Sequence, residues 1–536
     1  MGPSVEASPG GTASRPIASP VGPAASPVAR RLFIFSLLAY LLLGGGRIAS
    51  SDGHTMFSLS ESLLAGRLSI PAGNGRIGRH GLLYAKADPG QAVIAMPLVA
   101  AGRATAKLLP PGPLRTFWPR AVASTMNAFV GAAAVVVFLL LVRSLGYSPQ
   151  TALIMSLGLG FSTSLLPYTK SFLREPLLLL FLLLSFFELR RSKLRHGAIA
   201  GGAFRAGLWL GAGMMVKATL ALNTPLLLGY LLARPGGPRA VGGRGVLSFL
   251  AGPAAAAGLL GVYNAVRFGH PLATGYDPTV DNFSTPLLVG LYGQLLSSGK
   301  SIFLYAPLGF AALWGFAGLA RHHRAEAVTA GAIVAMNVLF HAKFASWAGE
   351  GSWGPRYLVP CLPFLILPAA ELWQSGRTAR RRAAALALVL GLLVQVGGTA
   401  IYFGSYMREL GEYPYQRNFS DPLFMVRSHF VPNDSPVVGH WRLLLRNAAL
   451  FASDERPRLK PRPELAERLP LEDTDHDQLR YVLDFWFCYP VYAGIPGRVV
   501  AIPVLVLVAL TVWAGVRLRA SARTGDPFPG VCPDEG

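Results

Sequence analysis

Apolar runs of about 17 to 22 residues recur along the whole chain, separated by short basic clusters, and they constrain its fold more than any other feature. Wound as a helix that rises about 1.5 Å per residue, such a run spans the hydrocarbon core of a bilayer. A soluble chain of comparable length divides into compact domains with about a quarter of its residues charged. Here 14% of 536 residues are charged and 52% are hydrophobic, and the mean hydropathy is +0.42. The expectation is an all-α polytopic membrane protein with about twelve crossings.

The formal net charge of +22 would suggest nucleic acid in a soluble protein, so the placement of the basic residues decides its meaning. Arg30 and Arg31 precede the first apolar run, Arg190, Arg191, Lys193 and Arg195 follow the fourth, and Arg377, Arg380, Arg381 and Arg382 fill a turn. That is the pattern of cytoplasmic anchors, without the interleaved stacking aromatics of a nucleic-acid surface. Cys361, Cys488 and Cys532 fall in a span, a long loop and the tail, which predicts neither a disulfide framework nor a cysteine metal site.

Residues 1–30 are rich in Pro, Gly, Ala and Ser and read as a disordered cytoplasmic tail. The run from Leu32 to Gly46 follows two arginines and reads as an uncleaved anchor, which turns the next loop outward. Spans are expected near 121–142, 150–168, 173–189, 245–266, 302–320, 326–342, 357–373, 383–402 and 498–516. Basic residues flank 206–233 on both sides, so that stretch is read as two short helices meeting near Lys217. Both termini, including the tail 517–536, then lie in the cytoplasm. Two long loops, 47–120 and 403–497, lie outside, where loops of such length are usually functional. The second reads as a small lid or subdomain.

Several ionisable residues fall at the outer boundary. Asp52 follows the first span directly, with Glu61 further along the same amphipathic stretch; Asp52 could equally cap that helix. Tyr84 and Lys86 precede a Pro89-Gly90 turn and a helix start, where an ammonium and helix amides add their fields toward an anion, although lysines at an interface also simply snorkel. Arg174 and Glu175 open a span; an acidic residue at that depth is costly, and its alternative role is a local pair with Arg174 or Lys170. Arg267 lies in an Arg-Phe-Gly-His-Pro-Leu loop. Trp353, Arg356 and Tyr357 lie in a turn of tryptophans and glycines, where the arginine could grip phosphate or belong to an aromatic belt. Together these groups are what is needed to hold an amphiphile with a phosphate head and to deprotonate a hydroxyl nearby.

With Asp52 after the first span, Tyr84-Ala85-Lys86-Ala87-Asp88-Pro89, Glu175-Pro176 at a span start, Gly213 to Lys217, and the loops around Arg267 and Arg356, the chain resembles the GT-C superfamily of glycosyltransferases that use polyprenyl-phosphate sugars. The resemblance covers about residues 30–400, in particular the branch of protein O-mannosyltransferases and aminoarabinose transferases. It implies a catalytic membrane domain over 31–402 and an inverting transfer to a lipid, glycan or protein acceptor on the periplasmic side of a bacterial inner membrane. Asp52 would be the general base and Glu175 would orient a substrate. Lys86, Arg356 and Lys217 would hold the donor phosphate, with Glu61, Tyr84, Arg174, Arg267, Trp353 and Tyr357 around the substrates. Asp52 is followed by Gly53 where the pattern has a second acidic residue, and Glu175 stands where Asp is more usual.

Two other classes compete with this reading. A flippase for a lipid-linked saccharide calls for ionisable residues at mid-membrane and paired halves. For a non-catalytic envelope scaffold, neutralising Asp52 should leave glycan products unchanged, whereas deleting 403–497 should disrupt a complex. No cofactor or metal is expected from the residues, though Asp52 and Glu175 could share a divalent cation through oxygen alone.

Overall fold

A computed structural model describes residues 27–194, 199–233, 242–279, 281–412, 425–459 and 479–523. Most of the expected tail 1–30, Arg195, Arg234, Arg239, Cys532 and parts of the second long loop lie outside those residues.

The described chain is almost wholly helical. Among the described residues, seven helices are long and apolar enough to cross a membrane: Leu114–Ser144, Ile199–Val216, Gly243–Phe268, Arg324–Lys343, Arg356–Gln374, Thr378–Ala400 and Gly497–Ala522. The runs expected at 32–46, 150–168, 173–189 and 302–320 are occupied by the helices Pro27–Leu42, Pro149–Phe161, Glu175–Leu194 and Pro307–His322. The 206–233 stretch does break at Lys217: one helix ends at Val216, Lys217 is extended with φ −157°, a 3-10 turn covers Ala218–Asn223, and a second helix runs Thr224–Leu232.

Small residues let these helices meet closely, the usual device where lipid supplies no hydrophobic drive between them. Gly207 and Gly211 face Gly252, and a Cβ on Gly252 would sit 2.0 Å from the Gly207 carbonyl oxygen. The helix Gly497–Arg523 lies at the periphery beside the first helix, with only 11% of its apolar window buried, so most of its surface is left to lipid.

The first long loop opens with the helix Ser51–Leu64. Ser50 caps it, its hydroxyl accepting from the Gly53 amide at 3.1 Å, so the cap proposed for Asp52 belongs to Ser50 and the Asp52 carboxylate is available for other partners. An antiparallel pair of strands follows, Gly75–Ile77 with Leu83–Ala85. It is the one sheet in the described residues, too short to leave an alternating pattern. Helix Gly90–Ala106 then carries the chain back toward the bundle.

The described parts of 403–497 pack on the bundle. The Trp486 amide donates to the Gly44 carbonyl at 2.9 Å, and the Asp484 amide to that of Ala400 at 2.8 Å. Asp484 also pairs with Arg47 at 3.0 Å and Lys170 at 2.8 Å, and Tyr489 donates its hydroxyl to the same carboxylate. Burial alone would raise the Asp484 pKa, but the two cations outweigh it and hold the carboxyl well below the usual range. This buried pairing ties the end of the first span, the turn at Lys170 and the approach to the last span together.

Candidate active site

Arg356 is the centre of the site. It opens the segment Arg356–Gln374 directly after the strap of residues 346–355, and it is 7% exposed. Its Nε donates to Glu175 Oε1 at 2.7 Å and its guanidinium NH2 donates to Asp52 Oδ2 at 2.7 Å. One planar guanidinium thus bridges a carboxylate from the first long loop and one from the start of a span, a geometry that a lysine cannot reproduce.

The two carboxylates differ in access. The Glu175 side chain is 1% exposed and that of Asp52 is 32% exposed. Asn74 also donates to Asp52 Oδ1 at 3.4 Å. Burial pushes the Asp52 pKa up, while Arg356 and then Arg174 pull harder and leave it well below the ordinary carboxylate range. Arg174 is buried beside them and reaches the Tyr276 hydroxyl at 3.5 Å. Two buried atoms here, Arg174 Nε and Glu175 Oε2, lack a hydrogen-bond partner. Buried polar atoms in folded proteins are nearly always satisfied, so orphans at one spot call for a ligand or ordered water.

Next to this cluster is a small pocket lined by Glu175, Lys217, Asn337, His341 and Tyr357 among others. The Lys217 ammonium sits 4.2 Å from the centre of the Tyr357 ring and makes no hydrogen bond or ion pair among the described residues. Tyr357 stacks on His341 with centroids 5.0 Å apart. The break that frees Lys217 is held by Asp88, whose carboxylate accepts from the Ala218 amide at 2.8 Å. Burial raises the Asp88 pKa. In the strap, Glu350 adopts φ +56°. Burial and then the charge of Asp52 raise the pKa of its carboxyl.

Of the residues singled out from sequence, Asp52, Arg174, Glu175, Lys217, Arg356 and Tyr357 come together. Neither local pair proposed for Glu175 is made: Lys170 pairs with Asp484, and Arg174 turns to Tyr276. Lys86 stands one ring away, paired with Asp281 at 2.8 Å and 5.0 Å from the centre of the Tyr276 ring. Four others lie outside the cluster. Glu61 pairs with Arg103 at 2.9 Å, about 13 Å along its helix from Asp52 at roughly 1.5 Å per residue. Tyr84 is buried in the strand pair and packs edge-on against Phe268. Arg267 is 1% exposed and gives its NH groups to the Ala85 carbonyl, Asn264 and the Tyr263 carbonyl. Trp353 donates its indole N–H to Gln395 at 3.0 Å and packs edge-on against Tyr305.

Sequence reasoning passed over Asp88, Asn337, His341 and Glu350. Asn337 and His341 carried a signal, since two polar residues one turn apart on an apolar helix are costly unless they face a cavity or a partner; both line the pocket, and the Asn337 side chain also donates to Asn223 at 3.1 Å. Among the described residues no group of three or more His, Cys, Asp or Glu gathers as for a metal ion. The position between Asp52 and Glu175 is filled by the Arg356 guanidinium.

Residues 117–234 match the family model described as dolichyl-phosphate-mannose-protein mannosyltransferase. That stretch contains Arg174, Glu175 and Lys217, and the match agrees with the GT-C resemblance carried by the motifs. No curated protein matches the chain. Among solved structures, ArnT from Cupriavidus metallidurans bound to undecaprenyl phosphate is similar at a TM-score of 0.45 and 15% identity, covering 93% of this chain and 79% of that one. The same protein in the apo state gives 0.42 and 14%, covering 90% and 75%.

Proposed function

We propose that this chain is a membrane glycosyltransferase that moves a sugar from a polyprenyl-phosphate donor to a lipid, glycan or protein acceptor, with its site on the periplasmic face of a bacterial inner membrane. The observation that carries the reading is the single guanidinium held 2.7 Å from each of two carboxylates, beside a small pocket lined by Lys217, whose ammonium makes no hydrogen bond or ion pair among the described residues. The family match over 117–234 supports the same class.

In this reading the donor phosphate enters as the partner that Arg174 Nε and the Lys217 ammonium lack, and Arg356 transfers part of its hydrogen bonding to it. Phosphate draws the guanidinium away from Asp52, and the proton affinity of Asp52 rises as its cation leaves. Asp52 is the more accessible carboxylate and takes the acceptor hydroxyl proton. The acceptor oxygen forms its bond to the anomeric carbon as the bond from that carbon to the phosphate oxygen breaks, with inversion. Polyprenyl phosphate leaves with its charge met by Arg356, Lys217 and Arg174. Glu175, buried and fixed, retains its bond to Arg356 Nε while the other end of the guanidinium turns from Asp52 to the phosphate. Rate is gained by positioning and charge stabilisation, without a covalent sugar intermediate.

Asp52→Asn tests the assignment. Loss of a general base lowers turnover by about 100-fold or more while donor binding persists, measured by donor consumption and by binding of the lipid phosphate. Unchanged turnover in the folded variant would remove Asp52 from the reaction.

A further inference from the structure

Lys300 lies in the short connection between the helices Leu287–Leu295 and Pro307–His322, and it is 0% exposed. Its ammonium donates to three carbonyls of one strap: Glu350 at 2.9 Å, Ser352 at 2.7 Å and Gly354 at 3.2 Å. No carboxylate lies within ion-pairing distance of it among the described residues, so a buried charge is spent wholly on backbone dipoles. The strap it grips is otherwise strained or sharply turned: Glu350 at φ +56°, with Gly349 at φ +70° and Gly354 at φ +63°. The strap ends in Arg356, whose amide donates to the Gly354 carbonyl at 3.0 Å, and a Cβ on Gly349 would meet the Arg356 side chain at 2.6 Å. A left-handed non-glycine residue persists only where surrounding contacts over-determine it, and here the Lys300 ammonium supplies them.

We propose that Lys300 is the positioning residue of the site: its ammonium locks the strap 346–355 in the conformation that presents Arg356 to Asp52 and Glu175, and release of the strap takes Arg356 out of register. This rests on the glycosyltransferase reading and adds to it a control point away from the substrates. The groups facing Lys300 are Glu350 and Arg356 on its strap side, Glu412 beyond the helix Phe403–Glu409, His429 in the turn Val426–Phe430, and the Phe403 ring at 5.1 Å. Burial lowers the Lys300 pKa to about 7, with Glu350 opposing that shift. The ammonium is present below that pH and is lost as pH rises through it, so the lock weakens on the alkaline side.

The test is transfer activity of the full-length protein in detergent, with a polyprenyl-phosphate sugar, from pH 6 to 9, for wild type, Lys300→Met and Glu350→Gln. Wild type is expected to lose turnover with rising pH. Lys300→Met should be about 10- to 100-fold slower at the acid end, the scale of a displaced catalytic group, and should lack that alkaline loss. Glu350→Gln removes the nearby negative charge and should move the wild-type loss to lower pH. It keeps the test open if Lys300→Met does not fold. A wild-type profile retained in a folded Lys300→Met protein, or unmoved in Glu350→Gln, overturns the proposal. Wild type that turns over no donor at any pH overturns it as well, together with the function on which it rests.

Discussion

Removing Arg356 leaves Glu175 buried with an uncompensated charge. Breaking one partner of a buried pair costs about 3 to 5 kcal/mol, whereas removing both costs far less. Arg356→Met should therefore lower stability strongly in a thermal unfolding assay, and adding Glu175→Gln should recover most of it without recovering transfer. Full stability in Arg356→Met alone would mean the bridge is not made. The Asp52 contribution has a pH signature. Its folded pKa is depressed, so the stabilisation is complete above the unfolded value of about 4 and is lost as pH falls toward the folded value; Asp52→Asn should flatten that acid limb. At this scale the sequence was partly legible. Asp52, Glu175 and Arg356 announce themselves because a charge beside an apolar run is expensive. Lys300 carries no motif, and its role depends on carbonyls some fifty residues away in the chain. Arg267 carries a motif, yet its donors are taken by the Ala85 backbone and by neighbours on its own helix, which local spacing does not reveal.

The helices hold the site through a few close approaches. Gly252→Leu would drive a side chain into the Gly207 carbonyl, 2.0 Å from its Cβ, and should prevent the helices Ile199–Val216 and Gly243–Phe268 from packing. The yield of monodisperse protein by size-exclusion chromatography should collapse, whereas Gly258→Leu, in open space on the same helix, should leave it intact. Asp484→Asn weakens the tie to Arg47 and Lys170, and the prediction is faster proteolysis within 479–497 with the bundle still folded; unchanged cleavage would show that the backbone contacts of Trp486 suffice. Helix positions were legible because the apolar runs are long and continuous, and the break at Lys217 followed from basic residues on both sides of one stretch. The strand pair at Gly75–Ile77 was not, since three-residue strands leave no alternation, and the docking of Asp484 was hidden by its distance in sequence from Arg47.

Across the whole molecule, the fold brings the start of the first long loop, the opening of the Glu175–Leu194 helix, the break at Lys217 and the strap before Arg356 to one place, although they span some three hundred residues of chain. An apolar bundle leaves charged residues only its boundaries and its cavities, which is why motifs scattered over several loops converge. The orphaned Arg174 Nε and Glu175 Oε2, with Lys217 at the cavity, give that convergence a purpose. The most direct test is donor turnover by purified protein given a panel of radiolabelled polyprenyl-phosphate sugars and envelope extract, comparing wild type with Asp52→Asn. The account predicts donor consumption and a labelled product with wild type, and loss of both in a folded Asp52→Asn protein. Donor that binds both forms and is consumed by neither would contradict it.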